Sequence, residues 1–235
     1  MITWLYPERC PVCLRLVMPK GAMLHPECNC TRDIIKEPVC LKCGLPLSSM
    51  EEEYCEECMC QQDRGFDQGR SIFPYHGVVG NALRLVKKEG TEEFVRFFAK
   101  QIKQSQLAFI ERVAPECIVP VPLHPSRQRS RGFNQAELLA EALEEELGIP
   151  VRLLLIKQKK TKDQKILSKG ERRKNVTNAF CVDESAMGQQ IPKSVLLLDD
   201  VSTTGSTLSA CAKTLKANGV ARVFYISVCM AEQLS

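Results

Sequence analysis

No stretch of this chain runs to about 18 apolar residues, which excludes a membrane-spanning helix on sequence grounds. The opening residues, MITWLYPERCPVC, lack a basic start followed by an apolar core. No secretory leader is therefore expected, and the expected compartment is the cytoplasm. A large excess of one charge is missing too: 32 Lys and Arg stand against 28 Asp and Glu. The net charge of +4 does not by itself select nucleic acid. Residues 1–60 also lack long apolar runs and helical periodicity. So short and polar a segment cannot bury much of a core, and a metal has to supply its folding free energy.

Cysteine is what that segment has. Of 13 cysteines, nine lie there: Cys10, Cys13, Cys28, Cys30, Cys40, Cys43, Cys55, Cys58 and Cys60. In a chain kept reduced, clustered thiols read as metal ligands rather than disulfides. Cys40-x-x-Cys43, followed after eleven residues by Cys55-x-x-Cys58, has zinc-ribbon spacing. Gly44 suits the tight turn such a knuckle needs. Four thiolates close the shell, so the zinc is structural. Cys10-x-x-Cys13 with Cys28 and Cys30 is expected to form a second site, and the recurring paired cysteines suggest a repeat. Cys28 and Cys30 are irregularly spaced, His25 can replace one of them, and crossed pairing between the groups stays open. Cys60 is left over. Cys117, Cys181, Cys211 and Cys229 fall in strand or helix patterns and are expected as small core residues.

A boundary at Asp63-Arg64-Gly65 divides the chain into a ribbon module, 1–64, and an α/β domain, 65–235. The second part alternates strand and helix signals. Strands are expected at 71–75, 117–122, 151–156, 195–198 and 222–230, and helices at 79–87, 92–112, 134–147 and 207–217. Such alternation implies a mostly parallel sheet flanked by helices, with ligands at the carboxyl ends of the strands.

The most informative string is Val195-Leu196-Leu197-Leu198-Asp199-Asp200-Val201-Ser202-Thr203-Thr204-Gly205-Ser206-Thr207. An apolar strand ends in two acids, and hydroxyls around one glycine then open a helix. Backbone N–H groups at a helix start make an anion site. Thr203, Thr204, Ser206 and Thr207 add hydroxyl donors, and Gly205 permits close approach of the backbone. Paired carboxylates beside a phosphate make sense if the ligand also carries sugar hydroxyls and Mg²⁺. A ribose 5′-phosphate fits.

Leu198 to Gly205 resembles the signature of type I phosphoribosyltransferases. Val119-Pro120-Val121-Pro122-Leu123-His124, Arg131-Gly132-Phe133-Asn134-Gln135-Ala136 and Thr161-x-x-Gln164-x-x-Leu167 narrow it. With Arg172, Asn175, Ala179 and Phe180 they resemble the late-competence ComF family, of ComFC type. The resemblance implies a type I phosphoribosyltransferase fold behind a double zinc ribbon. It implies that Asp199 and Asp200 bind ribose hydroxyls and that Val201 to Thr207 bind the 5′-phosphate of 5-phosphoribosyl-1-pyrophosphate (PRPP) with Mg²⁺. Leu123, His124, Arg131 and Gly132 fall where that fold places its pyrophosphate loop. The family association is DNA uptake in natural transformation, with single-stranded DNA and competence helicase or recombination-mediator proteins as partners.

The residues themselves leave choices open. Arg127, Arg129 and Arg131 can hold a pyrophosphate through bidentate contacts. The basic run with Lys159, Lys160, Lys162, Gln164, Arg172, Arg173 and Lys174 reads as a hood over pyrophosphate, a track for a nucleic-acid backbone, or a solvated loop. Aromatics for base stacking are scarce there, since Phe133 and Phe180 read as core. Three functions stand side by side: a ligand-binding accessory protein for DNA uptake, a Mg²⁺-dependent phosphoribosyltransferase on an unknown acceptor, and a zinc-dependent interaction scaffold.

Overall fold

A computed structural model describes residues 9–18, 22–28, 33–61, 63–158, 179–187 and 190–231. The elements in chain order are α1 (Glu56–Cys60), β1 (Gln68–Pro74), α2 (Gly77–Glu89), α3 (Glu92–Val113), β2 (Cys117–Pro120) and α4 (Pro125–Arg131). Then come α5 (Gln135–Leu147), β3 (Leu155–Lys157), β4 (Phe180–Val182), α6 (Glu184–Met187), β5 (Ser194–Ser202), α7 (Ser206–Ala217) and β6 (Arg222–Met230).

Four strands form one parallel sheet in the order β1-β6-β5-β2. The central strand β5 shows why the sheet needs cover on both faces. Val195 to Leu198 are all fully buried, and alternate side chains enter different cores. Leu196 and Leu198 pack with Val79, Leu83, Phe94, Phe98, Leu139 and Leu143 of α2, α3 and α5. Val195 and Leu197 pack with Leu208, Cys211 and Leu215 of α7. Helices therefore flank the sheet on both sides, as the alternating pattern predicts.

The second knuckle of the ribbon belongs to the second of these cores, while Val12, Met23, Leu24 and Ile34 pack against the first. Cys40, Cys43, Cys55 and Cys58 share the second core with Phe66 and Tyr225. The Tyr225 hydroxyl donates to the Cys43 carbonyl at 2.6 Å. Gly69 lets the knuckle sit this close: a Cβ there would stand 1.9 Å from the Tyr225 ring. Residues 63–67 are fastened to the α/β part by Lys213–Asp63 and Lys216–Asp67 ion pairs and by the Val223 N–H donating to Asp67.

Several expectations are revised. The stretch after β2, read as a loop, contains α4. Pro125 starts it, the His124 ring caps it by accepting from the Ser126 N–H, and Gly132 ends it at φ +86°. The strand expected at 151–156 shrinks to β3; Val151 makes only a single bridge to Ile118. β3 pairs antiparallel with β4, which lies in a stretch where the sequence pattern predicts no strand. β5 runs on through both aspartates to Ser202, because β6 pairs with it as far as Met230. Cys117, Cys211 and Cys229 are core, but Cys181 is only half-buried. Among the described residues no helix is long and apolar enough to cross a membrane.

Candidate metal centres and phosphate site

The two ribbon knuckles are copies of one turn. Arg9 bridges Leu16 and Val39 bridges Pro46 across the corresponding positions. In each, the N–H four residues after the leading cysteine returns to its carbonyl: Leu14 to Cys10 and Gly44 to Cys40, both at 2.8 Å. Both residues are left-handed, Leu14 at φ +63° and Gly44 at φ +71°. Only glycine fits the second copy, where a Cβ would meet the Gly69 carbonyl at 2.8 Å.

Two clusters of four ligand atoms result, each set lying within 4.8 Å: Cys40, Cys43, Cys55 and Cys58, and Cys10, Cys13, His25 and Cys28. The Cys43 and Cys55 sulfurs are 3.6 Å apart. Thiolates bound to a tetrahedral zinc at about 2.3 Å lie about 3.8 Å from one another, so the donor set fits structural zinc. The pairings are not crossed. His25 takes the fourth place in the first cluster, and Cys30 lies outside the described residues. His25-x-x-Cys28 restores the three-residue spacing that Cys28 and Cys30 lack. The Arg15 guanidinium, bonded to Cys13, holds that thiol down at about 6 and favours the thiolate a metal takes.

At the carboxyl end of the parallel sheet, β5 delivers Asp199 and Asp200 side by side in sequence but on opposite faces. Asp200 is buried on the α2/α5 side. Its Oδ2 accepts from Gln135 Nε2 at 2.7 Å and pairs with Lys87 Nζ at 3.1 Å. Gln135 accepts in turn from Arg131, so the expected pyrophosphate loop is wired to the acidic pair. Burial works against the charge on Lys87, but the attraction and hydrogen bond of Asp200, with smaller contributions from Tyr75 and Asp199, leave the ammonium pKa raised.

Asp199 faces α7 and the β3–β4 hairpin. Burial, with the charge of Asp200 second, pushes its carboxyl up to about 7, against the pull of Lys87 and Lys157. Lys157 lies over the Phe180 ring at 5.1 Å, and burial lowers its pKa.

Beyond the aspartates, Gly205 takes φ +68° as the N-cap of α7. Thr204 and Ser206 hydroxyls bond to each other, and the Ser206 N–H donates to Thr204 Oγ1 at 3.4 Å. Thr204, Gly205 and Ser202 are buried; Val201, Thr203, Ser206 and Thr207 are half-buried at the mouth of the loop. Of the other expected residues, His124 and Gly132 cap α4 and Leu123 is half-buried before it. Lys159, Lys160, Lys162, Gln164, Arg172, Arg173 and Lys174 lie outside the described residues. Gln135 lies within the Arg131 to Ala136 motif, but its role beside Asp200 is not legible there, and no local pattern marks Lys87.

Comparison with known proteins decides the family. Competence protein F of Haemophilus influenzae is 32% identical over 201 residues, covering 83% of this chain and 86% of its own. The chain belongs to the ComF family. Another relative of this ComF-family protein is competence protein ComFC of Bacillus subtilis, 31% identical over 78% of this chain and 73% of its own. DNA utilization protein YhgH of Escherichia coli K12 is 35% identical over 81% and 83%. A double zinc ribbon domain matches residues 1–59. Adenine phosphoribosyltransferases from Leishmania tarentolae and Leishmania donovani are distantly similar, at 18% and 16% identity and TM-scores of 0.34 and 0.32. They cover 63% and 56% of this chain and 74% and 65% of their own.

Proposed function

We propose that this ComF-family protein serves DNA uptake by binding PRPP with Mg²⁺ at the β5–α7 loop and the backbone of single-stranded DNA along its basic residues. The observation that carries the reading is β5 ending in Asp199 and Asp200 just before a hydroxyl-rich turn that opens α7. The helix start offers N–H groups and a positive dipole end to the 5′-phosphate. Asp199, held away from the Lys87 pair, is the carboxylate left for ribose hydroxyls and a substrate-borne Mg²⁺, a cation that prefers oxygen donors. Arg131, bonded to Gln135 beside Asp200, and Lys157, whose charge acts on Asp199, supply positive charge on either side of the acidic pair. The names of the relatives, competence and DNA utilization proteins, support the DNA side. Exposed apolar ribbon residues such as Met18 and Met50, 74% and 79% exposed, support contact with other uptake proteins.

The DNA half is tested by fluorescence anisotropy with labelled single strands. Replacement of condensed counterions predicts affinity falling at least about tenfold between roughly 50 and 200 mM salt. Replacing Lys159, Lys160 and Lys162 together by Ala flattens that slope. Binding that ignores salt defeats the backbone-tracking reading.

A further inference from the structure

The phosphate loop leans on a residue from the ribbon side of the chain. Arg64 is almost fully buried, its side chain 4% exposed. Its Nη2 donates to the Thr204 carbonyl at 2.6 Å, across 140 residues of sequence. Its Nη1 lies 3.7 Å from Glu57, on the helix that carries Cys58, and its plane sits 5.3 Å from the Phe66 ring centre. The Nε is buried without a hydrogen-bond partner, so the cation is not fully satisfied by its surroundings. A Cβ at Gly205 would stand 2.5 Å from Nη2, so the loop glycine is needed for this approach.

Two consequences follow from elementary chemistry. In a trans peptide the carbonyl and the next N–H point in opposite directions. Fixing the Thr204 carbonyl on Arg64 therefore turns the Gly205 N–H away from the ribbon, toward the side where an anion would sit. The second consequence is electrostatic. Four thiolates around Zn²⁺ carry a net charge of about −2, and Glu57 adds another negative charge. Cys43, Cys55 and Glu57 line the same small cavity as Thr203, Thr204 and Gly205. An anion-binding loop is thus built against an anionic metal centre, with the Arg64 guanidinium between them.

We propose that Arg64 is a positioning residue of the phosphate site, and that the second zinc knuckle works in phosphate binding through it. Arg64 orients the 204–205 peptide toward a sugar 5′-phosphate and offsets the charge of the thiolate centre. The inference rests on the reading of the β5–α7 loop as a phosphate site.

The test uses the full zinc-loaded chain and ribose 5-phosphate, by calorimetry and by the amide resonance of Gly205. Arg64→Gln retains two zinc ions and binds ribose 5-phosphate about tenfold more weakly, the scale of losing a charge-assisted bond. The downfield shift of the Gly205 amide on ligand addition disappears in this variant. Arg64→Lys, which keeps the charge but not the fork, recovers only part of the affinity. Glu57→Gln removes a negative charge and tightens binding by about threefold, a sign that simple loss of packing cannot produce. An Arg64→Gln protein with wild-type affinity and amide shift overturns the inference. Should that variant fail to fold, Glu57→Gln decides, and unchanged or weaker binding overturns it. Wild type that does not bind ribose 5-phosphate at all defeats the reading of the loop itself, and the inference with it.

Discussion

Cys43→Ser costs this protein far more stability than Cys13→Ser. Both remove one thiolate from a four-ligand cluster, and both are expected to lower bound zinc from two to one per chain. Their surroundings differ. Cys43 lies in the core shared by the sheet and α7, and its carbonyl anchors the buried Tyr225 hydroxyl. Cys13 borders a small cluster of Cys10, Val17 and Cys28. Structural zinc carries folding free energy outright, so losing the second site should cost on the order of 5 kcal/mol, comparable to the whole stability of many domains. Losing the first should unfold that knuckle locally and cost the main transition about 1–2 kcal/mol. Calorimetric melting with zinc analysis separates the two; equal shifts would mean that the ribbon is not continuous with the core.

Asn at position 199 and Asn at position 200 should move ligand-free stability in opposite directions at pH 8. The folded protein holds the Asp199 proton more tightly than the unfolded chain, with a pKa of about 7 against 3.8. Stability from that group is complete below about pH 4 and is lost as pH rises through about 7. At pH 8 the ionised carboxylate is a burden, and Asp199→Asn should add about 1–2 kcal/mol, with no gain at pH 4. Asp200→Asn instead leaves the Lys87 ammonium without its counter-ion and should cost about 1–3 kcal/mol. Melting temperatures at both pH values check this; shifts of the same sign at pH 8 would show that the two acids are equivalent.

What sequence could and could not give follows from the range of each interaction. The cysteine pairs and the Asp-Asp-Val-Ser-Thr-Thr-Gly string are local, and their chemistry is set by spacing alone. The sheet and its helices follow from apolar periodicity. α4 carried legible caps in Pro125 and Gly132, but its arginine-rich, wholly unburied surface gives no apolar stripe to reveal it. His25 was signalled by its spacing to Cys28. Gln135 stands in a motif legible from sequence, but its bond to Asp200 spans 65 residues and that of Arg64 to the loop spans 140, so only the fold reveals what they hold. The opposite placement of the two aspartates depends on β5 continuing past Leu198, which pairing with β6 decides.

The most direct test of the phosphate-site reading is calorimetric titration of the zinc-loaded protein with PRPP and Mg²⁺, beside Asp199→Asn. Wild type should bind one PRPP per chain, and Asp199→Asn, folded and at least as stable, should bind at least about tenfold more weakly. Absence of binding by folded wild type with two zinc ions, or equal binding by the variant, would contradict the reading.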